Sequence, residues 1–202
     1  MRERILTRLA GSRPAGDVSA AALARLPAEV ADALYTEPLI PAAVLVPLID
    51  YVDGFSLLLT ERTAHLNDHP GQISFPGGRV EQADADAVAT ALRESGEEIG
   101  LQAGQVEIAG YLPPHAVVTG FAVTPVVGLV RPPLALTLDE FEVAEAFEVP
   151  LAFFLDPAQR RERPREVRGI KLRTVEYHYA GKRIWGATAQ MISMLTKIIK
   201  EI

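Results

Sequence analysis

A chain of 202 residues with hydrophobic side chains at 49% of positions has an ordinary globular composition and enough length to close one sizeable core. Twenty Lys and Arg against 26 Asp and Glu leave a formal net charge of -6, which argues against nucleic acid as a partner because duplex binders usually carry a basic stripe. The absence of cysteine excludes disulfides, thiolate catalysis and Cys-based zinc sites and fits a cytoplasmic location; the longest apolar stretch, residues 38–49, is broken by Pro41 and Pro47 and is too short for a membrane span.

Arg2, Arg4, Arg8 and Arg13, interrupted by Glu3 and Asp17, read as a basic first helix rather than a leader. Over residues 19–35 the alanine and leucine spacing predicts one amphipathic helix with Asp17 or Ser19 as its N-cap. Residues 42–48 and 55–60 are apolar runs of strand length, and Asp53-Gly54 between them is a hairpin signal. Residues 61–78, rich in His, Asn, Asp, Pro and Gly, have the make-up of a long functional loop. A helix is predicted from about 84 to 99, with Gly100 in the capping place.

Further strands are predicted at 106–111 and 121–130, where Thr124-Pro125 signals an edge or a bend. A second loop, 131–140, leads into an acidic stretch ending at Pro150, and residues 151–155 form a short helix or turn. Residues 175–180 and 182–185 read as a hairpin about Gly181, followed by a helix from about 187 to 202. Without repeats or linkers, one mixed α/β domain is the expectation: residues 1–37 a helical extension, 38–202 the core and its last helix.

The chemistry concentrates in Gly77-Gly78-Arg79-Val80-Glu81 and in residues 91–101. Helical positions three and four apart share a face, so Glu94, Glu97 and Glu98 crowd together. Like charges at that spacing cost an isolated helix a few tenths of a kcal/mol per pair. A divalent cation would offset that, since magnesium and manganese prefer carboxylate oxygen; a solvated acidic face is the competing account. Gly96 inside the helix costs roughly 1 kcal/mol relative to Ala, which implies close packing on a neighbouring backbone. Gly77 and Gly78 after Pro76 offer bare backbone for a ligand or metal to approach.

These residues resemble the Nudix box, with Gly78, Arg93, Glu94, Glu97, Glu98 and Gly100 in its places. The spacer is one residue longer than the common form, and its early acid is Asp84 or Asp86. Upstream, Leu57-Leu58-Leu59-Thr60-Glu61-Arg62-Thr63, Leu66, His69 and Gly71-Gln72-Ile73-Ser74-Phe75-Pro76-Gly77-Gly78 are similar to the coenzyme A pyrophosphatase branch. So are Gly120-Phe121 with residues 123–128, Glu142-Val143 with residues 147–151, and Ile184-Trp185-Gly186-Ala187-Thr188-Ala189. Thr63 replaces the usual Ser, and Asn67 stands where a basic residue is common.

The resemblance implies an α/β/α sandwich with a mixed sheet. It implies Mg²⁺ or Mn²⁺ on Glu94 and Glu98, with Glu97 assisting and the Gly77 carbonyl completing the site. Arg93 would hold a helix glutamate by its bidentate fork. Glu142 is the first choice as general base, with Glu140 and Glu97 in reserve. Arg62 is a candidate phosphate binder, His69 a loop organiser or phosphate contact, and Gln72 and Phe75 candidate substrate residues. His115 and His178 carry no motif, and Trp185 reads as core rather than as an adenine stacker. The implied activity is hydrolysis of coenzyme A or acyl-coenzyme A to 3′,5′-ADP and the phosphopantetheine half. The alternatives are a broader pyrophosphatase for NADH, ADP-ribose or (d)NTPs, and a silent nucleotide-binding regulator. The partner is then a small nucleotide, with no nucleic acid and no membrane; a homodimer is left open.

Overall fold

The computed structural model describes residues 1–66 and 69–200; Asn67 lies outside them. In chain order its elements are α1 (Arg2–Leu9), α2 (Val18–Leu23), α3 (Ala28–Leu34), β1 (Ile40–Tyr51), β2 (Gly54–Arg62), β3 (Ile73–Ser74), β4 (Gly77–Arg79) and α4 (Ala87–Ile99). These are followed by β5 (Val106–Tyr111), β6 (His115–Val117), β7 (Phe121–Val130), β8 (Val143–Pro150), α5 (Leu151–Leu155), β9 (Arg161–Val167), β10 (Ile170–Tyr179), β11 (Lys182–Trp185) and α6 (Gly186–Lys200).

The main sheet is mixed: β1 runs parallel to β7 and antiparallel to β2 and β4, while β8 covers the far edge of β2. Alternate residues of its central strands enter opposite layers, as the strand period requires. Leu45, Ile49 and Leu58 pack under α4 with Ala91 and Ile99, whereas Leu48, Leu57 and Leu59 pack with Tyr177, Ile184, Ile192 and Leu195 on the other side. Burial on both faces explains why the strands read as nearly continuous apolar runs. The second layer holds α6 and a three-stranded antiparallel sheet, β11-β10-β9.

The β1–β2 hairpin pairs only near its turn, from Leu48↔Leu57 to Tyr51↔Gly54. Beyond that, β1 takes β4 as its neighbour and β2 takes β3. The glycine-rich segment is thereby inserted where the hairpin opens, which brings Gly77 and Arg62 to the same region. A register shift between Glu61 and Arg62 along β8 falls at this end, a common place for a bulge that re-aims a side chain.

Several expectations are corrected. The helix over 19–35 is two short helices, because Pro27 has no N–H to continue the first; Asp17 is the N-cap, accepting from Ala20 N at 2.9 Å. The loop over 61–78 contains β3 and β4, and the acidic stretch before Pro150 is strand β8. Thr124-Pro125 marks no edge: β7 is internal, and the missing Pro125 N–H falls where its neighbour changes from β5 to β6. Trp185 is only half-buried, with the Arg165 and Arg183 guanidinium carbons 4.5 and 5.3 Å from its ring centroid. No described helix is long and apolar enough to cross a membrane.

Candidate active site

Helix α4 is closed at both ends by residues of its own sequence. Asp86 caps it by accepting from Ala89 N at 2.8 Å, and Gly100 ends it in the left-handed conformation at φ 69°. The orphan carbonyls of its last turn are taken by the following loop. Asp139 N donates to Glu98 O at 2.9 Å, and Thr137 N to Ile99 O at 3.0 Å. The residues around Glu142 are therefore built onto the same helix that carries the glutamates.

Those glutamates have three different environments. Glu98 is 5% exposed; its Oε2 accepts from Gly77 N at 3.3 Å, and Arg62 Nη1 lies 3.9 Å from its Oε1. Burial pushes its carboxyl up to about 8, reinforced by the charges of Glu94 and Glu142, while Arg62 and the Gly77 N–H pull it down. Glu94 is also raised, by burial first, against Arg93 and with Glu97 and Glu142 repelling it. Its carboxylate lies so close to Gly78 that a Cβ there would collide with it. Glu97 is turned outward, with its side chain 61% exposed and bonded to Arg93 at 3.0 Å.

Arg93 is the hub of the box. Nε and Nη2 both reach Asp84 at 3.0 Å, Nη1 reaches Glu94 at 2.9 Å, and Nη2 also reaches the Arg79 carbonyl at 3.1 Å. The guanidinium holds Asp84 well below the usual carboxylate range. The two acids of the spacer thus have separate tasks: Asp84 anchors Arg93, and Asp86 caps the helix.

Among the described residues no three acidic or histidine side chains close into a ready-made metal cage, so the expected convergence of Glu94, Glu97 and Glu98 is not seen. Glu94 and Glu97 share Arg93 Nη1, at 2.9 and 3.0 Å, whereas the Glu98 carboxylate is turned inward to the Gly77 N–H. The remaining donors still suit a hard divalent cation. Two carboxylates are buried to different degrees and both are raised, by burial first and then by neighbouring acids, with Arg93 at 2.9 Å from Glu94 and Arg62 at 3.9 Å from Glu98 as partial compensation. Magnesium characteristically takes one or two carboxylates and completes its shell with water and phosphate.

Residues 39–168 match the NUDIX domain family. The chain belongs to the Nudix family. It is 44% identical over 154 residues to an uncharacterized Nudix hydrolase NudL of Enterobacter sp. (strain 638), covering 76% of this chain and 80% of that protein. The NudL of Escherichia coli (strain K12) is 44% identical over 156 residues, with the same coverage. A MutT/nudix family protein from Enterococcus faecalis shares the fold at a TM-score of 0.52 and 17% identity, over 83% of this chain and 64% of that one. Nudix hydrolases act on pyrophosphate bonds of small nucleotide substrates and in general use divalent metal ions.

Within this Nudix hydrolase, Arg62 lies beside Glu98, and His69 Nδ1 is 3.0 Å from Gln72 Oε1. The closing end of that turn is tied to Arg62: Gly71 N donates to the Arg62 carbonyl, and Arg62 N donates to the Gln72 carbonyl. Glu142 is half-buried, and it is Glu142, not the exposed Glu140, whose charge acts on Glu94 and Glu98. Phe75 is 2% exposed inside the larger core cluster, so it presents no surface to a substrate; its alternation with Ser74 points it inward. Gly96 is not held by close packing, because a Cβ there would meet only Leu101 O at an ordinary 3.8 Å.

Sequence reasoning missed the bonds that join the two site loops. Thr63 Oγ1 donates to the Phe141 carbonyl at 2.7 Å, and Thr63 N donates to the Glu142 carbonyl at 3.0 Å. It also missed Lys182, bonded to Glu61 and Glu145 at 2.5 and 2.8 Å, which ties the second sheet to β2 and β8. The Thr63 hydroxyl was the only local signal for the first, and nothing in the sequence flags the second.

Proposed function

We propose that this Nudix hydrolase cleaves the diphosphate of coenzyme A or its acyl derivatives, releasing 3′,5′-ADP and (acyl)phosphopantetheine. The observation that carries the diphosphatase reading is the buried Glu98, with Glu94 and Glu142 in electrostatic range and Arg62 at 3.9 Å. The coenzyme A reading is supported by the likeness of the segment 57–78 to that branch, and by the direct bonding of this segment to the Glu142 loop. A silent binder has little use for a carboxyl whose burial is so unfavourable. The enzyme works on soluble nucleotide in the cytoplasm as one domain, residues 38–202 carrying the Nudix core behind the extension 1–37.

Glu94 and Glu98 would hold Mg²⁺ or Mn²⁺, which when bound neutralises the diphosphate and acidifies a water. Arg62 binds a phosphate oxygen and orients the anhydride. The water oxygen bonds to phosphorus as the bridging P–O bond breaks, and Glu142 takes the water's proton. Thr63 holds the Glu142 loop against the substrate loop while this happens.

A panel of coenzyme A, NADH, ADP-ribose and dNTPs, each with Mg²⁺ and with Mn²⁺ and with products separated by chromatography, tests the substrate. Coenzyme A is expected to be cleaved with the highest kcat/KM. Turnover of NADH or ADP-ribose with coenzyme A left intact would remove the coenzyme A reading and leave a broader Nudix pyrophosphatase. For the base, Glu142→Gln is expected to lower kcat by about 10²–10⁴-fold with little change in KM. A rate within about a factor of two of wild type would move the role to Glu140 or Glu97.

A further inference from the structure

Phe141 is 64% exposed, although a phenyl ring is among the side chains that gain most from burial. Tyr51, the other aromatic residue among the described exposed hydrophobics, has a polar reason for its place: its hydroxyl bonds Glu148 at 2.9 Å. Phe141 has none. Nor does it sit on a loose segment. Its N–H donates to Asp139 Oδ1 at 2.8 Å, its carbonyl accepts from Thr63 Oγ1 at 2.7 Å, and Asp139 is itself bonded to α4 through Glu98 O. The His65 ring stands against it, with centroids 4.9 Å apart and planes inclined by 59°. The next residue is Glu142, whose charge reaches both Glu94 and Glu98.

A firmly held, open aromatic ring, on a loop bonded to the glutamate helix and one residue from an acid whose charge reaches Glu94 and Glu98, meets one part of a nucleotide substrate well. The phosphates seek cations and the ribose seeks hydrogen bonds; the planar base seeks an apolar face. It lies one sugar away from the phosphates. We propose that Phe141, flanked by His65, is the stacking platform for the purine base of the substrate's nucleotide half. This rests on reading the Glu94, Glu98 and Glu142 cluster as the diphosphate site. Aromatic stacking tolerates any base, so the platform supplies affinity for a nucleotide and leaves discrimination between diphosphates to other contacts.

The test is equilibrium binding by calorimetry of adenosine 5′-monophosphate and of ribose 5-phosphate, neither of which has an anhydride to cleave, to the full chain with Mg²⁺. Phe141→Ala is expected to weaken the adenine nucleotide about tenfold and to leave ribose 5-phosphate unchanged. Phe141→Trp is expected to restore or tighten it. The ring is exposed, so the thermal melts of all three proteins are expected to coincide. The platform is overturned if Phe141→Ala binds the nucleotide as wild type does, if wild type shows no binding of it, or if ribose 5-phosphate weakens equally, which would mean a displaced loop. Because these ligands are not turned over, an unreactive wild type that still binds the nucleotide through Phe141 would count against the diphosphatase reading alone.

Discussion

Replacing Glu98 by Gln is expected to cost about 10³-fold in kcat while the protein stays at least as stable. A metal ion contributes several kcal/mol of transition-state charge stabilisation, and each 1.4 kcal/mol is about a decade of rate. Gln keeps the carbonyl that accepts from Gly77 N, so the local geometry survives. What it removes is a charge that burial disfavours: the carboxyl is pushed up to about 8, first by desolvation and then by Glu94 and Glu142. The folded value lies above the unfolded one, so this group's contribution is intact below the usual carboxylate range and is lost as pH rises through about 8. Metal-free wild type is therefore expected to melt at a lower temperature at pH 8 than at pH 5, and Glu98→Gln to lack that part of the dependence. Chelation with EDTA is expected to abolish wild-type turnover, and Mg²⁺ or Mn²⁺ to restore it. Unchanged rates in the variant, or an equal Mg²⁺-induced rise in its melting temperature, would take Glu98 out of the ligand set.

What was legible in the sequence was what local rules decide. Residues 106–111 and 121–130 form β5 and β7 as predicted, because apolar runs bounded by Gly and Pro have few other folds open to them. The box helix announces its own ends through Asp86 and Gly100, and it starts at Ala87 rather than 84 because Asp86, in extended backbone, is the N-cap. Strand β9 was invisible. Its alternating Arg and Glu around Pro164 carry no apolar signal, and it is a strand only because β10 pairs with it along its whole length. In the site, helical spacing put Glu94, Glu97 and Glu98 on one face but could not tell that one Arg93 nitrogen would hold Glu94 and Glu97 while Glu98 is buried against the Gly77 N–H. The pairing of Thr63 with Phe141 spans 78 positions, and no window of sequence contains both halves of that contact.

Arg93→Ala is the change expected to damage both stability and rate. The side chain is 24% exposed and binds Asp84, Glu94, Glu97 and the Arg79 carbonyl at once, so it joins the loop after Gly78 to the helix. Asp84 also accepts from Thr90 Oγ1 at 2.8 Å and Glu81 N at 2.9 Å, but Arg93 is its only cation among these bonds. The guanidinium is the main cause of the lowered Asp84 pKa. A lowered folded pKa means stability that is present above the usual carboxylate range and is lost as pH falls through the folded value. Deleting Arg93 removes that contribution at neutral pH, and the melting temperature is expected to fall by several degrees. Glu94 loses its orienting partner as well, and outer partners of metal ligands typically carry about 10–100-fold in affinity or activity, so kcat/KM should fall by that order. Arg93→Lys keeps the charge without the fork and is expected to land between the two. Adding Asp84→Asn to Arg93→Ala removes the unpaired carboxylate and should recover much of the melting temperature and little of the rate. If Arg93 were only a surface ion pair, the single variant would melt within a degree or so of wild type and keep its rate. Recovery of rate by Asp84→Asn would place the defect in Asp84's charge rather than in the orientation of Glu94.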